Sequence, residues 1–156
     1  MSMSGTSGVF AREFDEIGRT VQVGFAGGRV ISVSFPADPP ADAETDHELL
    51  DRIDAYLNGE RDEFHEVALG LTVPTEQREV LESLRSVPYG EDVSVSRLAR
   101  LAGFDPDDAD DLEIVTDALT DNPIPVLLPD HRVGGGPHAT PSDVRSAFRR
   151  VEGLSQ

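Results

Sequence analysis

The apolar residues change period partway along the chain, and that change constrains the architecture more than any single residue does. Thr20-Val21-Gln22-Val23-Gly24-Phe25 and Val30-Ile31-Ser32-Val33-Ser34-Phe35 alternate or run β-branched, as strands with one buried face do. Ala26-Gly27-Gly28 between them supplies the turn chemistry of a hairpin. A Pro- and Asp-rich stretch from Pro36 to Ala43 then breaks the sheet. Beyond it Leu49, Leu50, Ile53 and Leu57 recur at helical spacing, with Thr45 or Asp46 as the expected cap and Gly59 as the stop.

After Leu71-Thr72-Val73-Pro74 the helical period takes over entirely. Val80, Leu81, Leu84 and Val87 predict one helix, ended by Pro88-Tyr89-Gly90. Ser94 is the expected cap of a second, carrying Val95, Leu98 and Leu101 and stopped by Gly103. Leu112, Val115, Ala118 and Leu119 describe a third, halted by Asn122-Pro123. This succession fits a helix-turn-helix, and a generic helical bundle gives the same pattern. A short apolar run, Ile124 to Leu128, leads into Pro129-Asp130-His131-Arg132-Val133, and Thr140-Pro141-Ser142-Asp143 opens a last helix bearing Val144, Ala147, Phe148 and Val151. The expected class is α+β. Residues 1–8 form a loose tail, 9–71 a small strand-rich α/β unit, and 74–153 a mainly helical, winged helix-turn-helix-like unit.

Composition limits the functions open to such a chain. The net charge is -17 over 156 residues, and all 13 basic residues are arginine. A surface rich in carboxylates and free of lysine suits a cytoplasm of molar salt, where the Debye length falls to about 3 Å and self-repulsion is screened. A halophilic source is therefore expected. An acidic mimic of nucleic acid would carry the same charge, but the even scatter of arginines does not favour it. The absence of cysteine excludes disulfides, thiolate metal sites and thiol nucleophiles. No apolar run approaches the roughly 20 residues that span a bilayer, and Met1–Gly8 lacks a secretory pattern, so a cytoplasmic protein without membrane contact is expected. His47, His65 and His138 lack ligand spacing, so neither metal nor cofactor is expected.

Several segments of the second half, in order, resemble the O6-alkylguanine-DNA alkyltransferases. Thr75-Glu76-Gln77-Arg78-Glu79-Val80-Leu81 is similar to the opening helix of that family, Pro88-Tyr89-Gly90-Glu91 to its first turn, and Leu98-Ala99-Arg100-Leu101-Ala102-Gly103 to its next helix. The most specific stretch is Asn122-Pro123-Ile124-Pro125-Val126-Leu127-Leu128-Pro129-Asp130-His131-Arg132-Val133, where the family reads Pro-Cys-His-Arg-Val around its alkyl-accepting cysteine. Asp130 stands at the cysteine's place. The resemblance covers about Pro74 to Gly153 well and the strand-rich half weakly.

The resemblance implies a repair fold in which a helix-turn-helix enters the minor groove, an arginine fills the gap left by a flipped guanine, and a thiolate takes the alkyl group irreversibly. A carboxylate at Asp130 is a weak nucleophile toward an alkyl carbon and would give a hydrolysable ester, so no catalytic residue is expected. Asp130 is instead expected in a half-solvated pocket, paired with His131 or Arg132. His131 and Glu152 match the positions that deprotonate the cysteine through a water, and Asn122 matches the asparagine that ties the turn; without a thiol all three are expected to act as hydrogen-bonded struts. A carboxylate pair of Asp130 and Glu152 with His131 as base would be the chemistry of another enzyme class, but the spacing does not demand it. A narrower alternative has the Asp130 carboxylate accepting from the N1 and N2 donors of unmodified guanine.

The DNA-binding candidates are Arg97, Arg100, Arg132, Thr120 and Val95, the last two from the resemblance. Counting back from Asn122-Pro123 puts the intercalating arginine's place at Thr120 and a glycine-like place at Asp117, while Val95 holds the place of a tyrosine that helps rotate the nucleotide phosphate. Around them lie Asp105, Asp107, Asp108, Asp110, Asp111, Glu113 and Asp121, which oppose phosphate contact. Arg97, Arg100, Arg145, Arg149 and Arg150 form either a local basic patch or a solvated helix face. Gly134-Gly135-Gly136 lacks the helix start that a phosphate cradle needs and is expected to be a flexible turn. Two readings of function follow: a non-catalytic pseudoenzyme that binds alkylated DNA at high salt, with repair proteins as further partners, or a degenerate fold that has left DNA for a protein or small molecule. A monomer is expected in either case.

Overall fold

The computed structural model describes residues 7–154, so the proposed tail at residues 1–8 falls largely outside the described residues, and Gly8 already belongs to a strand. Three antiparallel strands, β1 (Gly8–Phe14), β2 (Arg19–Ala26) and β3 (Arg29–Ser34), form a sheet in the order β1-β2-β3. The hairpin expected at Gly27-Gly28 is β2–β3. Strand β1 was not legible in the sequence because Val9-Phe10-Ala11-Arg12-Glu13-Phe14 alternates imperfectly, with Phe10 and Ala11 buried side by side and Phe14 beyond them.

Helix α1 (Glu48–Leu57) contacts β1 of this sheet and buries Leu49, Leu50, Ile53, Tyr56 and Leu57. Its cap is neither Thr45 nor Asp46 but His47, whose Nδ1 accepts from the Leu49 amide at 2.9 Å. The reason is tertiary. The His47 ring sits between Phe10 and Phe25, 4.6 Å from each ring centroid, and is fixed at the helix start, while Thr45 and Asp46 are exposed.

The second half contains α2 (Thr75–Arg85), a two-residue strand β4 (Val93–Ser94), α3 (Val95–Leu101), α4 (Ala109–Thr120), a 3-10 turn over Asp130–Arg132, β5 (Val133–Gly134) and α5 (Ser142–Val151). Ser94 caps α3 as expected, its Oγ accepting from the Arg97 amide at 3.1 Å. Leu101, expected on the apolar face, is instead 50% exposed, because it is the last residue of a seven-residue helix. Helices α2, α3 and α4 pack on one another, with Val80, Leu84, Leu98, Val115 and Leu119 buried between them. Strands β4 and β5 pair in parallel, joining Val93 to Val133 and Ser94 to Gly134. The two halves share one apolar core, in which Phe35 stacks edge-on against Phe148 of α5. Among the described residues no helix is long and apolar enough to cross a membrane, and no group of three or more His, Asp or Glu could hold a metal ion.

Candidate functional site

The site begins with the turn that precedes Asp130. Asn122, just past α4, accepts from the Ile124 amide through Oδ1 at 3.0 Å and donates through Nδ2 to the Leu128 carbonyl at 2.8 Å. One side chain thereby closes the whole 122–128 loop. Within it Val126 has φ 77°, a left-handed conformation costly for a β-branched residue and held by the buried apolar residues around it. The loop delivers Asp130 to the interior.

Asp130 is fully buried rather than half-solvated, and its carboxylate is bonded to neither His131 nor Arg132. Four other donors converge on it. Thr140 gives its hydroxyl to Oδ1 at 2.6 Å, while Oδ2 accepts from the Ala139 amide at 2.9 Å, the Thr140 amide at 3.3 Å and Asn122 Nδ2 at 3.2 Å. Uncharged donors aimed at both oxygens keep a buried carboxylate from being stranded. This corrects the expected pairing. It also counts against the guanine-accepting alternative, since both oxygens are already engaged by the protein.

A second buried cluster lies beside it, centred on Glu152 at the end of α5. Oε2 accepts from Tyr56 at 2.5 Å, from His131 Nε2 at 2.6 Å and from Arg132 NH2 at 3.1 Å; Oε1 accepts from Arg132 Nε at 2.9 Å and the Gly90 amide at 3.0 Å. Burial works against ionisation of Glu152, but the hydrogen bond from His131 and the Arg132 guanidinium outweigh it and hold the carboxyl at about 2. Burial pushes His131 below its ordinary value against the pull of Glu152, leaving the ring neutral at pH 7. A carboxylate can only accept, so Nε2 carries the proton and Nδ1 is left as a buried acceptor with no protein partner among the described residues. Tyr56 is raised well above its ordinary value by burial and by Glu152, and remains a donor.

The expected DNA-facing residues disperse. Arg132 is 3% exposed, held by Glu152 and the Val87 carbonyl, so its guanidinium is no surface contact. Arg149 is buried against Asp92 and the His131 carbonyl, and Arg145 is half-buried on the Val133 carbonyl. The five-arginine patch therefore reduces to Arg97, Arg100 and Arg150 at the surface. Val95 is half-buried at the start of α3, and Thr120 is exposed at the end of α4, its hydroxyl returned to the Thr116 carbonyl. Asp110, Glu113 and Asp117 of α4 and Asp121 at its C-cap are all exposed at helical spacing.

The site roles of Tyr56, Thr140 and Gly90, and the pairing of Arg149 with Asp92, were not legible in the sequence. Tyr56 had a signal, since it lies three residues beyond Ile53 on the apolar stripe and was the only member with a polar tip. Thr140 had none beyond its place before a helix; its contact with Asp130 spans ten residues of irregular chain.

A sheet-and-helix unit joined to a helical unit, with a buried turn carrying Asp130, is the plan shared with solved O6-methylguanine methyltransferase structures. Residues 75–142 match the family model for the DNA-binding domain of 6-O-methylguanine DNA methyltransferase. A methylated-DNA–protein-cysteine methyltransferase from Methanopyrus kandleri is 31% identical over 107 residues, covering 67% of this chain and 77% of that protein. A DNA base-flipping protein from Thermus thermophilus is 33% identical over 100 residues, covering 64% of each. The O6-methylguanine methyltransferase structure of Mycobacterium tuberculosis superposes with a TM-score of 0.70 at 26% identity, over 93% of both chains. The chain belongs to the methylated-DNA–protein-cysteine methyltransferase family, and it has no cysteine.

Proposed function

We propose that this chain is a non-catalytic member of its family and transfers no alkyl group. The observation that carries the proposal is Asp130, at the acceptor's place, buried and with both oxygens occupied by protein donors. A carboxylate there is a poor nucleophile for an alkyl carbon, and an engaged one is poorer still. His131 and Glu152 keep their contact without a thiol to activate, so they serve as struts.

What remains for such a chain is recognition. The likeness to a DNA base-flipping protein supports a DNA-binding role, and our reading is that the chain binds alkylated guanine in DNA in a high-salt cytoplasm and hands the lesion to repair proteins. A second reading, a protein- or small-molecule-binding module without DNA affinity, is favoured by the exposed carboxylates along α4, which a phosphate backbone would meet unfavourably. Incubation with O6-methylguanine duplex in multimolar potassium chloride tests both readings. Methylated protein in the mass spectrum overturns the non-catalytic assignment; fluorescence anisotropy on the same duplex then decides between lesion binding and the module.

A further inference from the structure

The segment after the 3-10 turn is seated at its start, middle and end, with Gly135 exposed between the first two contacts. At its start Gly134 pairs with Ser94 in the β4–β5 ladder. Two residues on, Gly136 lies so close to α3 that a Cβ would overlap Val95 Cγ2 and would come within 3.4 Å of Val133 Cγ1. At its end Ala139 and Thr140 deliver two amides and a hydroxyl to the Asp130 carboxylate. The glycine run is thus no free turn.

We propose that Gly134–Thr140 is a strap latched by Asp130, and that the aspartate's role is to hold this strap shut over the acceptor position. The inference deepens the reading of a silent site, since the residue that replaces the acceptor also closes its access. Two independent contacts hold the strap. One is polar, the convergence on Asp130; the other is steric, the fit of Gly136 against Val95. A thiol at position 130 would accept weakly and could not engage three strap donors at once. An asparagine would turn an NH2 group toward donors and leave at least one unpaired.

Amide hydrogen exchange on the full chain in molar potassium chloride tests the latch. Asp130→Asn should speed exchange at Ala139 and Thr140 by at least about tenfold, with the β2–β3 amides unchanged; Thr140→Val, which removes one donor at nearly constant volume, should give a smaller increase at the same amides. Gly136→Ala should lift the strap without touching Asp130, and adding Val95→Ala should restore protection. Unchanged exchange at Ala139 and Thr140 in both Thr140→Val and Gly136→Ala overturns the proposal, even if Asp130→Asn fails to fold. Methyl transfer by the natural chain would overturn the silent-site reading yet leave these exchange rates where they are, so the two failures are distinguishable.

Discussion

The Tyr56 hydroxyl donates to Glu152 Oε2 at 2.5 Å, tying α1 of the strand-rich half to the residue that ends α5, 96 positions along the chain. The same oxygen receives His131 Nε2. The sheet-bearing half therefore reaches into the polar cluster beside the Asp130 turn. Tyr56→Phe should destabilise the fold by about 1–3 kcal/mol, the cost of removing one partner from a buried charged acceptor. Denaturant midpoints in high salt measure this, and a loss indistinguishable from zero would mean that Arg132 and His131 satisfy Glu152 by themselves.

Arg132 is the other half of that balance. Replacing it with Met leaves Glu152 buried with its main cation gone, for which about 3–5 kcal/mol is expected. The added substitution Glu152→Gln should recover part of the loss, because no uncompensated charge then remains. A double-mutant cycle reads the coupling, and strict additivity would contradict the geometry described.

Acid sensitivity should have two phases. His47 is held below its ordinary value of 6.5 by burial, and its cap requires an unprotonated Nδ1. A depressed histidine binds fewer protons folded than unfolded, so its contribution is present above 6.5 and is lost as pH falls through the lower folded value. His131 acts in the same direction. Glu152, at about 2 against 4.5 unfolded, contributes above 4.5 and loses that contribution as pH falls toward 2. His47→Gln should remove part of the upper phase and leave the lower one, as followed by circular dichroism against pH.

Reversing the charge on α4 should create affinity for duplex DNA. Asp110→Arg, Asp117→Arg and Asp121→Arg exchange three exposed carboxylates for three guanidinium groups without touching Val115, Ala118 or Leu119. Each arginine that neutralises a phosphate should steepen the log–log salt dependence by roughly 0.9. Anisotropy titrations at several salt concentrations measure the slope. No gain in affinity would mean that α4 does not face DNA in this chain.

Gly90 has φ 80° while its amide donates to Glu152. Its added Cβ would meet nothing closer than the Glu152 carbonyl at 3.6 Å, so Gly90→Ala should cost only the left-handed backbone penalty, about 1–2 kcal/mol. A larger loss of melting stability would show that the turn, and with it the Glu152 contact, had moved.

The hairpin, the Ser94 cap and the family signature from Asn122 to Val133 were legible in the sequence because each depends on neighbours a few residues apart. Periodicity placed α1 to α5 for the same reason. It missed β1, whose strand partners fix it more than its own pattern does, and the His47 cap, which two phenylalanines from β1 and β2 hold in position. Arg132, a DNA-binding candidate in the sequence, lies buried instead, since an arginine's burial is decided by whether a carboxylate awaits it, here 20 residues away.

The sequence by itself determined that no thiol is available, because that follows from residue identity, and the resemblance over Pro129-Asp130-His131-Arg132-Val133 set Asp130 against the family's acceptor cysteine. Only the tertiary structure decided what Asp130 does there. A carboxylate's chemistry depends on which donors surround it, and those donors, Thr140, Ala139 and Asn122, are brought together by a folded strap and a closed loop.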